Sequence, residues 1–401
     1  MPSGQAETGG STSGSTAVNS GWLGLGMLLA MATPPAMQYS IGVLAPFLVA
    51  DAGVTRVQVG LYTSVLFVIS AVVSPLLGVV VDRFNSRLVL SVGFGFGAGS
   101  ALLAAAADSY AWVLASALAA GVPMAMSNPV TNRLVRGFVP AGSRGRLMGV
   151  KQSGVMVAQT VVGFAAGPLA ALLGWRYALL PALGIAVCGL LVAWSAVPVL
   201  PAAARHVGRS PRPGVPPTVR WLAVYAMFMG SGQAVVGAYL PLYAYERVGV
   251  SPATAGLAVG MFGVVAALSR IGWAPAAERA SWFAVPLRLV ALGALPGVIC
   301  IAAAESLGAP ALLIGAAVYG ATAPVWNVPG MLAVFRLVGA EATGRASGLI
   351  YMGFSYGFVA GPIGFALLVE SAGYRTAWLA LTVPILAALL TTTRLAGPPR
   401  S

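Results

Sequence analysis

The residues of this chain that could do chemistry are few. Of its 22 basic residues one is a lysine, Lys151, and it lies inside a long apolar stretch. At 100° per residue, Lys151, Gln152, Val155 and Gln159 fall within an arc of about 100° on one helical face. The preceding apolar stretch carries Asn128, Thr131, Asn132 and Arg136 at spacings that also share a face. An ammonium flanked by neutral amides is suited to holding an anion. The nine acids, Glu7, Asp51, Asp82, Asp108, Glu246, Glu278, Glu305, Glu341 and Glu370, all fall near the first residues or at the ends of apolar stretches. None stands near Lys151 to neutralise it. His206 is the only histidine and sits in a basic, proline-rich segment, while Cys188 and Cys300 read as small buried hydrophobes. No metal-ligand set and no Ser/His/Asp arrangement can be assembled, so neither an enzyme nor a bound cofactor is expected.

The elements that must position these groups follow from composition. Charged residues make up 8% of the chain and hydrophobic ones 58%, whereas a soluble domain carries about 25% charge because its surface meets water. Here most of the surface is expected to meet lipid. Twelve apolar runs are read at about 21–49, 57–81, 88–107, 110–136, 145–173, 176–198, 219–246, 252–273, 283–304, 309–335, 345–369 and 374–393. Each is long enough for a hydrocarbon layer of about 30 Å. The predicted fold is an all-α integral membrane protein of twelve transmembrane helices. It divides into a Gly/Ser/Thr-rich tail (1–20), a six-helix bundle (21–200), a linker rich in proline and arginine (201–218), a second six-helix bundle (219–394) and a short tail (395–401).

The net charge of +13 is not a nucleic-acid footprint, because the arginines stand singly between apolar runs. With the first residues inside, seventeen arginines fall on the inner side, including Arg83, Arg136, Arg270, Arg279 and Arg336. Four, Arg56, Arg176, Arg247 and Arg375, fall outside. That asymmetry predicts both termini on the cytoplasmic side of a bacterial inner membrane.

The two halves repeat each other. Asp51-Ala-Gly-Val-Thr, Gly60 and Asp82-Arg83 align with Arg247-Val-Gly-Val-Ser, Gly256 and Glu278-Arg279 at a constant offset of 196. At an offset of 199, Gly121, Asn128, Gly149, Gly154 and Gly174-Trp-Arg176 align with Gly320, Asn327, Gly348, Gly353 and Gly373-Tyr-Arg375. Parallel repeats of this kind place a site between the halves near mid-membrane.

After the second run the chain reads Gly78-Val-Val-Val-Asp82-Arg83-Phe-Asn-Ser-Arg87, and after the eighth Ala274-Pro-Ala-Ala-Glu278-Arg279. The first resembles the G-x-x-x-D-R-x-x-x-R signature of the major facilitator superfamily, and the second is a decayed copy. The resemblance covers the chain beyond residue 20. It implies alternating access, with Gly78, Asp82, Arg83, Arg87, Glu278 and Arg279 in the cytoplasmic gate and Asp82 against the start of the eleventh helix. The glycine would let the second helix approach a neighbour closely.

Two readings of Lys151 stand: a substrate-binding cation, or a long stem snorkelling to the headgroups from about 10 Å inside. A charge at mid-membrane costs at least about 2.5–3.5 kcal/mol on insertion scales, which favours a partner or a cavity. The stretch Gly149-Val-Lys-Gln-Ser-Gly154 is similar to the fifth helix of branches that move cyanate and organic acids. The candidate substrate residues are Lys151, Asn128, Gln152, Asn327, Gln38, Tyr39, Gln233, Trp326 and Tyr351. The expected activity is transport of a small organic anion by a monomer, with the lipid bilayer and the substrate as its partners. A rival reading is export of a drug or secondary metabolite, towards which Gly163-Phe-Ala-Ala-Gly167-Pro168 and Gly357-Phe-Val-Ala-Gly361-Pro362 point. A third is a membrane sensor that transports nothing.

Overall fold

The computed structural model describes residues 20–140, 143–200, 216–338 and 340–395. The two tails, most of the linker and His206 lie outside them. Among the described residues every regular element is helical: α1 Ser20–Ala52, α2 Arg56–Arg83, α3 Ser86–Ala105, α4 Tyr110–Phe138, α5 Arg144–Leu173, α6 Leu180–Ser195, α7 Pro217–Glu246, α8 Pro252–Arg279, α9 Ala284–Leu307, α10 Ala309–Thr322, α11 Asn327–Leu337, α12 Ala340–Ala380 and α13 Thr382–Thr391. Ten stretches among them are long and apolar enough to cross a membrane. Two of the predicted runs are not single rods. The tenth is broken into α10 and α11 by a tight turn over Ala323–Trp326. The eleventh and twelfth are joined through α12, which bends at Gly373.

That bend shows the repeat in the backbone. Gly373 has φ 81°, and its repeat mate Gly174, which ends α5, has φ 93°. A left-handed φ at both positions is open to glycine and strained for residues with a Cβ. The expectation that the cysteines are buried fails for Cys188, which is exposed on α6. In a lipid-facing helix an apolar thiol has no reason to turn inward.

The halves meet through the helix pairs that the repeat exchanges. Helix α2 packs on α12, α5 on α8, and α1 on α7. Small residues make these approaches possible, since dispersion and close backbone packing, not water exclusion, hold helices together in lipid. A Cβ on Gly163 would lie 2.2 Å from the Gly260 amide nitrogen, and one on Gly42 would lie 2.2 Å from the Gly237 carbonyl oxygen. One on Gly60 would meet both the Tyr239 hydroxyl and the Pro362 carbonyl.

All of these contacts lie towards the end of the molecule that carries Arg56 and Glu246. There the Arg56 guanidinium pairs with Glu246 at 2.9 Å. The Tyr374 hydroxyl donates to the same carboxylate oxygen at 2.7 Å, and the Tyr239 hydroxyl donates to the Arg56 carbonyl at 2.8 Å. This network ties α2 of one half to α7 and α12 of the other.

At the opposite, arginine-rich end Gly78 of α2, Gly149 of α5, Gly272 of α8, and Gly344 and Gly348 of α12 have nothing within 4 Å of a Cβ position. The close approach expected at Gly78 is therefore not made in this conformation. Asp82, Arg83, Glu278 and Arg279 are exposed. The halves are joined at the arginine-poor end and part towards the arginine-rich one.

The arginine-rich loops are anchored within each half instead. Arg133 of α4 donates to the carbonyls of Val81 and, at 2.8 Å, Phe84. Arg336 of α11 does the same for Glu278 at 2.7 Å and Ala280 at 2.8 Å. Arg87 donates to Val197 O at 3.1 Å and lies 5.8 Å from the Trp194 ring centroid. Several arginines that a loop count assigns to sidedness alone thus also satisfy carbonyls at helix ends.

If glycine contact holds the arginine-poor end shut, Gly163→Leu must separate it. Spin labels at the exposed positions Ala52 and Thr254, on opposite halves of that end, are expected to move apart by several ångströms in G163L. An unchanged distance distribution would contradict the role given to this contact.

Candidate functional site

Lys151 is fully buried, and its surroundings come from α4. The ammonium donates to Thr131 Oγ1 at 3.0 Å, to Asn128 Oδ1 at 3.3 Å and to Asn132 Oδ1. The helical spacing of Asn128, Thr131 and Asn132 puts all three acceptors on the face of α4 that meets α5. An ammonium has three donors, and three neutral oxygens receive them. Its hydrogen bonds are met while its charge remains. Thr131 also donates to Ser127 O at 2.5 Å, so the acceptor is itself held in place. Gln152 is half-buried beside this cluster, and Gln159, one to two turns on, is 1% exposed with its side-chain oxygen unpaired.

The other half supplies a second core cation that the sequence reading had assigned to the inner loops. Arg270 lies within α8, nine residues before its end at Arg279, about 13 Å along the helix. Its Nη2 donates to the Pro324 carbonyl at 3.2 Å, and its Nε is buried without a partner. Pro324 stands in the turn that breaks the tenth run, so the irregular backbone there has a specific consequence: it turns a carbonyl towards a guanidinium. Asn327, which opens α11 one turn later, has an unpaired buried Oδ1. The signal that could have marked Arg270 is its distance from the Glu278-Arg279 loop, more than two turns into an otherwise apolar helix.

Lys151 and Arg270 sit at one level. Helices α5 and α8 are antiparallel, with Gly167 against Ala253, Gly163 against Gly260, and Thr160 and Gln159 against Gly263. Extending that register by eight residues on α5 and seven on α8, about 12 Å, brings Lys151 level with Arg270. Each half thus contributes one cation at the same depth. Every acid in the chain stands at a helix end, beside the bend of α12 at Gly373 (Glu370), or outside the described residues.

The remaining predicted residues divide between the interface and the second half. Tyr39 of α1 is 3% exposed; its hydroxyl lies against the Gln233 side chain and within electrostatic reach of Arg270. Gln38 is 4% exposed with Nε2 unpaired, and that nitrogen would be 3.9 Å from a Cβ on Gly237 of α7. Trp326 is buried, with its ring 6.3 Å from Tyr225 and 5.7 Å from Phe354. Rings continue from Tyr351 through Phe354 and Phe358 to Phe67 of the first half at 6.1, 4.5 and 4.4 Å. The structure therefore brings Gln38, Tyr39 and Gln233 towards Arg270, with Asn327 and Trp326 beside the turn that Arg270 contacts. Lys151 and Asn128 form their own cluster in the first half.

The model of the Major Facilitator Superfamily matches residues 26–328 and 222–401. The chain belongs to the Major Facilitator Superfamily. An uncharacterised transporter of the same type from Mycobacterium tuberculosis, Rv2994, is 27% identical over 334 residues, covering 80% of this chain and 73% of that one. Solved superfamily structures share the fold. A bacterial homologue of the human lysosomal transporter Spinster, crystallised inward-facing and occupied, superposes with a TM-score of 0.76 at 17% identity over 95% of this chain and 97% of that one. The human organic anion transporter MFSD10 gives 0.67 at 20% identity over 93% and 98%. The nucleoside transporter NupG, as its D323A mutant, gives 0.75 at 15% over 94% and 100%. This superfamily member is thus a multi-pass membrane transporter.

The lysine cluster makes a measurable claim about the first half. Lys151→Ala and Asn132→Ala are each expected to lower the melting temperature in detergent. In a double-mutant cycle their effects should couple by about 1–2 kcal/mol, the scale of a charged hydrogen bond. Additive losses would contradict a direct tie between α4 and α5.

Proposed function

We propose that this transporter moves a small organic anion across the bacterial inner membrane by alternating access, with the arginine-rich end facing the cytoplasm. The observation that carries the reading is the charge balance of the core. Two cations, Lys151 and Arg270, lie level with one another on opposite halves, and each acid of the described residues stands at a helix end or, for Glu370, beside the bend of α12. An isolated charge in a dry medium attracts a counter-ion strongly, because the interaction between two charges grows as the dielectric falls. A negative substrate supplies what the chain lacks.

Two further features support the mechanism. The contacts named between the halves cluster at the arginine-poor end, while the glycines of α2, α5, α8 and α12 face open space at the other. That is the arrangement of an inward-open state, and the Spinster homologue was also crystallised inward-facing. In the opposite state the arginine-rich end closes, and Gly78, Gly149 and Gly348 allow the approach that Gly60 and Gly163 allow here. The Asp82 loop then meets the start of α12 as a gate.

Coupling follows from the same inventory. A membrane-embedded carboxylate, the usual proton carrier in such proteins, is missing from the described helix interiors. Exchange of one anion for another, facilitated diffusion, or a proton carried on the substrate's own acid group are the routes left. The glycine patterns that favour an exporter serve packing here, with Gly163 against Gly260 and Gly361 against Ser231.

In proteoliposomes of the purified protein, organic acids are expected to compete with one another for uptake. Tetraphenylphosphonium and uncharged nucleosides should not compete. Competition by cations or neutral solutes alone would refute the anion reading.

A further inference from the structure

We propose that Arg270 is the group that touches the substrate, that the substrate is a monocarboxylate with an apolar body, and that Lys151 acts through α4 without touching it. This deepens the anion reading and rests on it. The two core cations are in different chemical states. The three donors of Lys151 are taken by Asn128, Thr131 and Asn132, and the side chain is fully buried. To bind an anion directly it would have to leave three acceptors unpaired in a dry helix pair. Arg270 has five donors. Its one hydrogen bond among the described residues is made to the Pro324 carbonyl, and its Nε–H, buried, points at no acceptor.

Two other buried polar atoms without a hydrogen-bond partner stand on elements near Arg270. Gln38, 4% exposed, has an unpaired Nε2 on α1, next to Tyr39, whose hydroxyl lies against Gln233 and near Arg270. Asn327, one turn beyond Pro324, has an unpaired side-chain oxygen. Buried donors and acceptors are nearly always paired in a folded protein. A substrate that offers hydrogen bonds to α1, α8 and the start of α11 would pair these groups.

The guanidinium fork matches the two oxygens of one carboxylate, forming two parallel hydrogen bonds. Gln38 Nε2 is a further donor for the same group. A second carboxylate would find its cation, Lys151, already engaged, so one negative charge per substrate fits best. The body of the substrate would meet rings. The Trp326 ring lies 5.7 Å from that of Phe354, tilted by 39°, and Trp273, one turn from Arg270 on α8, is fixed by a hydrogen bond from its Nε1 to Ala321 O at 3.2 Å. Because Arg270 belongs to the second half and Gln38 and Tyr39 to the first, one carboxylate would bridge both halves. Binding would thereby be coupled to their relative position.

The test uses the full chain in proteoliposomes, with a panel of radiolabelled monocarboxylates (benzoate, phenylacetate, butyrate) and their dicarboxylate counterparts (phthalate, succinate). In the wild type, monocarboxylates should compete at least about tenfold better than matched dicarboxylates. Arg270→Gln should raise KM about 10- to 100-fold, the loss expected for a charged hydrogen bond. Arg270→Lys, which keeps the charge without the fork, should recover part of it. Lys151→Gln should lower the melting temperature and shift KM less than Arg270→Gln does.

A larger KM effect at Lys151 than at Arg270, or dicarboxylates competing as well as monocarboxylates, would overturn this inference and leave anion transport standing. Failure of every anion in the panel, with cations or neutral solutes carried instead, would overturn the functional reading itself. Should Arg270→Gln not fold, Arg270→Lys and the wild-type competition series decide the matter unaided.

Discussion

The structure depends on one electrostatic constraint: among the described residues, positive charge is held inside α5 and α8 with only neutral hydrogen-bond acceptors. The chain spends almost no charge on its spans, 8% overall, and keeps its acids at helix ends or, for Glu370, beside the bend of α12. Lys151, buried, and Arg270, half-buried, lie more than a turn inside their helices and at one level. Desolvating a charge is expensive wherever it occurs in protein or lipid, so each must be stabilised by hydrogen bonds, by exposure to a water-filled space, or by a bound counter-ion. Lys151 takes the first route, through three oxygens of one neighbouring helix. Arg270 is held by one carbonyl and retains an open donor. The division of labour between a structural and a reactive cation arises from which helix faces each of them.

The second organising fact is that the halves are held apart or together by surfaces without side chains. Where Gly163 meets Gly260, or Gly42 meets Gly237, backbones touch and a single methyl group would clash. Such contacts carry no directional charge and are easily exchanged for equivalent ones elsewhere, which suits a molecule that must rock. The Arg56–Glu246–Tyr374 network adds register at the closed end. With the arginine 42% exposed it contributes on the scale of a surface ion pair, at most about 1 kcal/mol. A latch of that strength can hold a state and still release it.

Much of this was legible in the sequence, for identifiable reasons. The apolar runs report on a hydrocarbon slab that admits few solutions, and the internal repeat shows in the backbone, where Gly174 and Gly373, 199 residues apart, both have a positive φ. Lys151 and its partners on α4 could be read because helical periodicity alone places Asn128, Thr131 and Asn132 on one face. Arg270 was hidden because counting arginines by loop treats every arginine near an inner helix end as a marker of sidedness. The Arg56–Glu246 pair joins residues 190 apart, and no periodicity relates them. The expectation for Gly78 missed for another reason. A sequence does not say which conformation is seen, and in this one nothing lies within 4 Å of a Cβ position on Gly78.

The central claim, that a carboxylate completes the unpaired cation of the second half, is tested most directly by locating a bound anion. Crystals of the wild-type protein soaked with 4-bromobenzoate carry an anomalous scatterer that reports the position and direction of the ring. The account requires the carboxylate within hydrogen-bonding distance of Arg270, between α1 and α8, with the bromine directed towards the aromatic residues around Trp326. A carboxylate seated on Lys151, or bromine density confined to sites outside the space between the two halves, would contradict it.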